Sequence, residues 1–531
     1  MYWSQVFFLL AFSLNLAESS DNQDHGASWQ FLNDKSSRFA VDGAKLPNVS
    51  FDIGESYAGL LPISESGPGL FFWFFPSTNH EAGDEIVIWL TGGPGCSSML
   101  GLFNENGPFT WKPGTYLPVA NPWGWNRLTH VVWIDQPVGT GYSVGTPTAL
   151  NEFDVADQFA GFWSNFIDTF NTHNYSTYVT GESYGGMYCP YIARGLLHQG
   201  HNVSGMMIYD GEIRHQGIQI QIPTVPFVDY WGGLFPLNDS FRQSIHDQHQ
   251  KCGYAHHIDT YLKFPPPEQQ PAKIPGMTDD ETDIIEGCDI YHSTINAVRL
   301  INPCFSYYDV SAGCPVPYDP LGFTGGLNYL PPSAPPAYFN RSDVKEALHA
   351  PSDVDWRLCK TGVFPSRDNS DPSAFFALPE IIEHTQNVIL ANGALDFGIL
   401  TNGTLLAIQN MTWGGQLGFQ QRPQDPMYVP YHANPDLGST AGAGVMGTAH
   451  TERGLTFVSV ARSGHMVPDF QPSVAFRQLE VLLGRVENLQ STVPFTTDVN
   501  ATAQPSGGMG HGTGPPLDGG SAEKALKSAK P

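Results

Sequence analysis

Short apolar runs bounded by turn residues alternate with stretches of helical period along much of this chain. LFFWFF (70–75), EIVIWL (85–90), HVVWID (130–135), TYVT (177–180) and GMMIY (205–209) are rich in β-branched and aromatic side chains, which predicts strands. DVADQFAGFWSNFIDTF (154–170) repeats apolar residues at three- to four-residue spacing and predicts a helix. GMYCPYIARGLLHQG (186–200) predicts another, stopped at Gly200. The same alternation returns later. RSDVKEALHA (341–350) and PSVAFRQLEVLLGRV (472–486) read as helical, and NVILAN (387–392) and LTFVSVA (455–461) as extended. Strands apolar on both faces and separated by helices predict an α/β fold with a mainly parallel sheet covered on both sides.

The pattern breaks between about Glu212 and Pro336. There the chain carries FPPPEQQPAKIPG and YLPPSAPPA and four of the seven cysteines. Pro-rich, Cys-containing sequence predicts an insertion of irregular structure stapled by disulfides. The core is therefore expected over 18–211 and 337–503, the insertion over 212–336, and a disordered Gly/Pro/Ser-rich tail over 504–531. The tail lacks the apolar end of a lipid-anchor signal.

The first residues, MYWSQVFFLLAFSLNLAESS, hold an apolar run from Val6 to Leu16 that ends at small Ala17, as a secretory signal peptide over 1–17 does. No later stretch reaches the roughly 18 apolar residues that span a bilayer, so no membrane anchor is expected. Sequons at Asn48, Asn174, Asn202, Asn238, Asn340, Asn402, Asn410 and Asn500 fit a secreted or vacuolar glycoprotein. Lys and Arg number 25 against 51 Asp and Glu, a formal charge of −26, which argues against nucleic acid or anionic membranes as partners. No cysteine pair has C-x-x-C spacing, so neither a zinc site nor a thioredoxin-type motif is expected. Six of the seven cysteines suffice for three disulfides in an oxidising compartment. Cys189, on an apolar helix, is the one expected to stay free.

The chemistry centres on Gly181-Glu182-Ser183-Tyr184-Gly185, a G-x-S-x-G pattern between a predicted strand and a predicted helix. Such a turn lifts a serine hydroxyl above the sheet, and the glycines relieve crowding around it. The hydroxyl needs a base to take its proton, and this elbow takes its partners in the order Ser, acid, His. His465 lies in a loop between a strand end and a helix start. Asp396 follows the strand at 387–392, between Ser183 and His465 in the chain. Asp469 is the rival acid, although it follows the histidine. An oxyanion needs backbone N–H donors. Tyr184 offers one, and the loop after EIVIWL, with Gly92 and Gly93, offers the second.

WLTGGPGCSS (89–98), NENGPF (104–109), DQPVGTGYS (135–143), GESYGGMYCP (181–190) and SGHMVPDFQP (463–472), in this order, resemble the serine carboxypeptidases of the α/β-hydrolase fold, most of all fungal secreted members. The resemblance runs from about Phe51 to Leu483. It implies a cap insertion on a mostly parallel sheet flanked by helices. It implies Ser183 as nucleophile, His465 as base and Asp396 as its orienter, with Gly93 and Tyr184 supplying the oxyanion amides. It implies a pocket for the substrate's C-terminal carboxylate made by Trp89, Thr91, Gly92, Glu105 and Glu182, a Cys96–Cys359 disulfide, and no metal or cofactor. The implied activity is release of C-terminal amino acids from peptides through an acyl-enzyme.

Glu182 beside the nucleophile would repel an anionic substrate unless it held a proton. Facing Glu105, it is expected to keep that proton above the ordinary carboxyl range and to donate to the substrate carboxylate in acid. Three positions depart from the family pattern. Thr91 replaces an asparagine, so weaker carboxylate recognition is expected. Ala394 stands where many relatives have aspartate, and IYDG (208–211) where relatives often show Gly-Asn-Gly. Trp123, Trp125 and Tyr142 read as core packing before subsite walls. An esterase or acyltransferase on the same scaffold, and a non-catalytic peptide-binding glycoprotein, are the competing readings.

Overall fold

The computed structural model describes residues 29–65, 67–79, 82–278, 283–322, 336–438 and 441–498. The expected leader over 1–17, the tail over 504–531 and the sequon at Asn500 lie outside them. Ten strands form one sheet: β1 (Tyr57–Pro62), β2 (Gly69–Phe75), β3 (Glu85–Leu90), β4 (His130–Asp135), β5 (Ser176–Glu182), β6 (Val203–Tyr209), β7 (Val388–Gly393), β8 (Asp425–Val429), β9 (Gly444–Glu452) and β10 (Leu455–Val460). Their spatial order is β1-β2-β4-β3-β5-β6-β7-β10-β9-β8. The run from β4 to β10 is parallel, and antiparallel strands close both edges.

Every residue of β2 is buried because alternate side chains enter different cores. Phe72 and Phe74 pack with Phe166 of helix α1 (Glu152–Phe170), at ring-centroid distances of 5.6 and 5.4 Å. Phe71, Trp73 and Phe75 enter the opposite core, which the helix Pro472–Leu482 covers. Trp123, Trp125 and Tyr142 belong to that second core. α1 begins where the Asn151 side chain accepts from Asp154 N, satisfying a first-turn donor.

The insertion differs from its expected irregularity. It contains helices Thr224–Tyr230, Asp239–Lys251, Tyr254–Tyr261 and Ile290–Arg299, packed on their own apolar core. The second of these is nearly all polar, and only Ile245 and His249 are buried, so its apolar stripe is too thin to read by period. Cys252–Cys288 and Cys304–Cys314 staple this region, Cys96 is bonded to Cys359, and Cys189 is a buried free thiol.

Parallel strands bring their C-terminal ends to one edge of the sheet, where ligands bind in such folds. Leu90, Glu182, Tyr209, Gly393 and Val460 end five adjacent strands there. The loops leaving them carry Thr91–Cys96, Ser183, Asp210, Asp396 and His465.

Candidate active site

Ser183 sits between β5 and helix α2 (Gly185–His198) with φ +59°, a left-handed conformation unusual for a residue with a side chain. The surroundings hold it there. Its N–H donates to Tyr209 O, and its carbonyl accepts from Gly186 N and Glu212 N, all at 2.9 Å. Such a fixed, strained turn aims the hydroxyl off the sheet edge.

His465 and Asp396 meet. His465 Nδ1 lies 2.8 Å from Asp396 Oδ2, and both side chains are buried. The Asp396 carboxylate also accepts from Gly398 N at 2.7 Å and Ile399 N at 3.0 Å. The two loops touch at Gly393, where a Cβ would come within 2.0 Å of Gly464 O. Tyr308 packs on the imidazole with its ring tilted, centroids 4.8 Å apart, and its carbonyl accepts from His465 N. Burial lowers the imidazole pKa, but the charge of Asp396 and the hydrogen bond to it outweigh this and leave it raised. Asp469 pairs instead with Lys112. His465 Nε2 is buried without a hydrogen-bond partner, so Ser183 Oγ is not yet joined to it. Apo geometries of this kind tighten in the substrate complex.

The glycine loop packs against the serine turn. A Cβ on Gly92 would lie 2.3 Å from Tyr184 N and 2.7 Å from Glu182 O, so only glycine allows this approach. Neither Gly93 N nor Tyr184 N donates a hydrogen bond within the described residues. Asp135 anchors the far side of the loop. It accepts from Ser97 Oγ at 2.6 Å, Ser98 N at 2.9 Å and Tyr142 N at 3.0 Å. The DQPVGTGYS block is thus a brace for the loop.

Glu182, the last residue of β5, meets Glu105 in the interior. Both are nearly inaccessible to solvent, and their carboxyls face each other. Burial pushes both acids up, Glu182 to about 7 and Glu105 well above the usual carboxyl range, where the neighbouring charge of Glu182 adds to the effect. Glu182 Oε2 accepts no hydrogen bond. The Thr91 hydroxyl accepts from Trp89 Nε1 at 3.0 Å, which leaves its own O–H to donate elsewhere.

Sequence reasoning did not assign Asp210, Tyr308 or the Lys112–Asp469 pair to this site. Asp210 carried a signal, the departure from Gly-Asn-Gly; the others lie in an unreadable insertion or in a surface-like stretch. Among the sequons, Asn48, Asn174, Asn202 and Asn238 are exposed. The Asn340 amide donates to Asp355 Oδ1, and the Asn410 side chain accepts from Gln270 N.

A serine turn, a buried His–Asp pair and a glycine loop at the C-terminal edge of this sheet define an α/β-hydrolase. The sequence model of the family described as "Serine carboxypeptidase" matches residues 47–484. The chain is 48% identical over 477 residues to "Probable serine carboxypeptidase" of Arthroderma benhamiae, covering 86% of this chain and 88% of that one. It is 44% identical over 485 residues to "Serine-type carboxypeptidase F" of Aspergillus niger, covering 87% and 89%. The crystal structure of the prohormone-processing carboxypeptidase Kex1(delta)p of Saccharomyces cerevisiae superposes with TM-score 0.67 at 24% identity, over 86% of this chain and 98% of that one, and shows the same fold. The chain belongs to the serine carboxypeptidase family and is a serine-type hydrolase of that kind. Among the described residues no helix is long and apolar enough to cross a membrane.

Proposed function

We propose that the chain trims peptides from their C-termini at acidic pH, with Ser183 as nucleophile, His465 as general base and Asp396 as the group that holds the imidazole. Ser183 Oγ attacks the carbonyl carbon of the last peptide bond and passes its proton to His465 Nε2. The tetrahedral oxyanion takes the free amides of Gly93 and Tyr184. His465 returns the proton to the departing amine, the terminal amino acid leaves, and an ester to Ser183 remains. Water then repeats the sequence, and the shortened peptide is released with a new C-terminus.

The observation that carries this reading is the buried carboxyl pair beside the nucleophile. Two carboxyls buried against each other keep at least one proton in acid, so Glu182 and Glu105 there are donors where an ionised pair would repel. With Trp89, Thr91 and Gly92 they form a pocket for the substrate's terminal carboxylate. The protein is read as a glycoprotein of the secretory route, released or kept in an acidic vacuole-like compartment, with peptide C-termini as its partners. Exposed Asn48, Asn174, Asn202 and Asn238 are the favoured glycan positions.

Labelling with an organofluorophosphonate tests the assignment. The expected result is one adduct on the peptide carrying Ser183, lost in Ser183→Ala and much slowed in His465→Ala. An adduct on another serine, or none, overturns it.

A further inference from the structure

The carboxyl of Asp210, in the turn after β6, lies beside the acid that holds the imidazole. Asp210 is fully buried, with φ +43°. Its Oδ1 accepts from Gly393 N at 2.9 Å and Asn392 Nδ2 at 3.2 Å, and its Oδ2 lies 3.1 Å from the same Gly393 N. On its other side it faces the carboxyl of Asp396. One oxygen from each acid and a ring nitrogen of His465 all lie within 4.8 Å of one another. Two carboxyls buried this close repel each other unless one carries a proton, which it can then donate to the other.

The donors decide which one. Asp396 already accepts from three donors, Gly398 N, Ile399 N and His465. Asp210 accepts from one backbone amide and one side-chain amide. The other titratable groups facing the pair are Glu182, an acid that adds repulsion, and the phenols of Tyr291 and Tyr308. Neither carboxyl forms an ion pair with a lysine or arginine among the described residues. The proton therefore belongs to Asp210. Burial and then the charge of Asp396 push the Asp210 acid well above the usual range.

We infer that Asp210 is a positioning residue that stays neutral and donates its O–H to Asp396, completing the set of donors that aims this carboxylate at His465 Nδ1. The inference rests on the proposed role of Asp396. Asparagine, neutral and of the same shape, can make the same donation through its amide. Alanine cannot, and leaves Asp396 short of one donor.

The test compares Asp210→Asn, Asp210→Ala and Asp396→Asn with the wild-type chain, reading kcat and KM on one peptide and the rate of fluorophosphonate inactivation. The expected result is a loss of about ten- to a hundredfold in kcat and in inactivation rate for Asp210→Ala, with KM unchanged and most of the loss recovered in Asp210→Asn. If the alanine chain does not accumulate, Asp210→Ser is read in its place, since serine is too short to reach Asp396. Wild-type kcat in Asp210→Ala or Asp210→Ser, or an asparagine variant as slow as they are, overturns the inference. Full activity in Asp396→Asn would instead overturn the role of Asp396 on which it rests.

Discussion

Glu182 faces Glu105 in the protein interior, and Ser183 follows Glu182 in the chain. The two acids come from different parts of the chain, the end of a central strand and the segment after the glycine loop. They meet because β3 and β5 are neighbours in the sheet.

Peptide binding is expected to weaken as pH rises. Burial lifts Glu182 to about 7, so it is neutral in acid and ionises near neutrality. Beyond that point KM for a free-acid peptide is expected to climb by about tenfold per pH unit, the slope of one ionisation. Turnover of a simple ester, which has no carboxylate to be held, is expected to vary much less. Steady-state kinetics on both substrates from pH 4 to 8 check this.

Glu182→Gln removes the ionisation but keeps a donor. Its KM is expected to be close to wild type at pH 5, flat to pH 8, and lower than wild type at pH 8. A variant whose KM still climbs with pH would place the titration on another group.

Thr91→Asn is expected to tighten free-acid peptides. Asparagine can accept from Trp89 Nε1 through its oxygen while its amide reaches further than the threonine hydroxyl. A hydrogen bond to a charged group is worth about 1.5–3 kcal/mol, or roughly a ten- to hundredfold fall in KM. An unchanged or higher KM contradicts this.

Stability is expected to fall on the alkaline side. Glu105, Glu152 and Asp210 are raised well above the usual range, and Glu182 and Glu212 to about 7, all mainly by burial. The unfolded chain releases these protons near pH 4. A raised acid therefore stabilises fully below that pH, and its contribution is lost as pH rises through the folded value. His130 and His249 act in the opposite direction. Burial lowers them to about 4, so their contribution grows from there and is complete by about pH 6.5. Thermal unfolding is expected to show Tm declining from pH 6.5 to 8, and a rising Tm would contradict the protonated acids.

The parallel strands and the serine turn were legible because each is local. Six-residue runs such as LFFWFF and EIVIWL have no other stable reading once turns bound them, and a glycine-flanked serine between strand and helix has few. The edge strands β8 and β9 escaped notice because their burial barely alternates, and glycines interrupt β9. The helix Asp239–Lys251 escaped because it buries so little. Within the site, chain order and loop position pointed to Asp396 and His465, but the Glu105–Glu182 contact follows from family motifs alone, since no local pattern brings distant segments together. Asp210 shows what sequence leaves out. A single Asp in place of Asn reads as a small departure until its carboxyl is found against another acid.

The most direct test is KM for one peptide with a free C-terminus and the same peptide amidated, measured side by side at pH 5. The account predicts that the free acid binds far more tightly, and that this advantage shrinks as pH passes 7 in the wild-type chain but persists in Glu182→Gln. Equal KM values for the two peptides at pH 5 would contradict it.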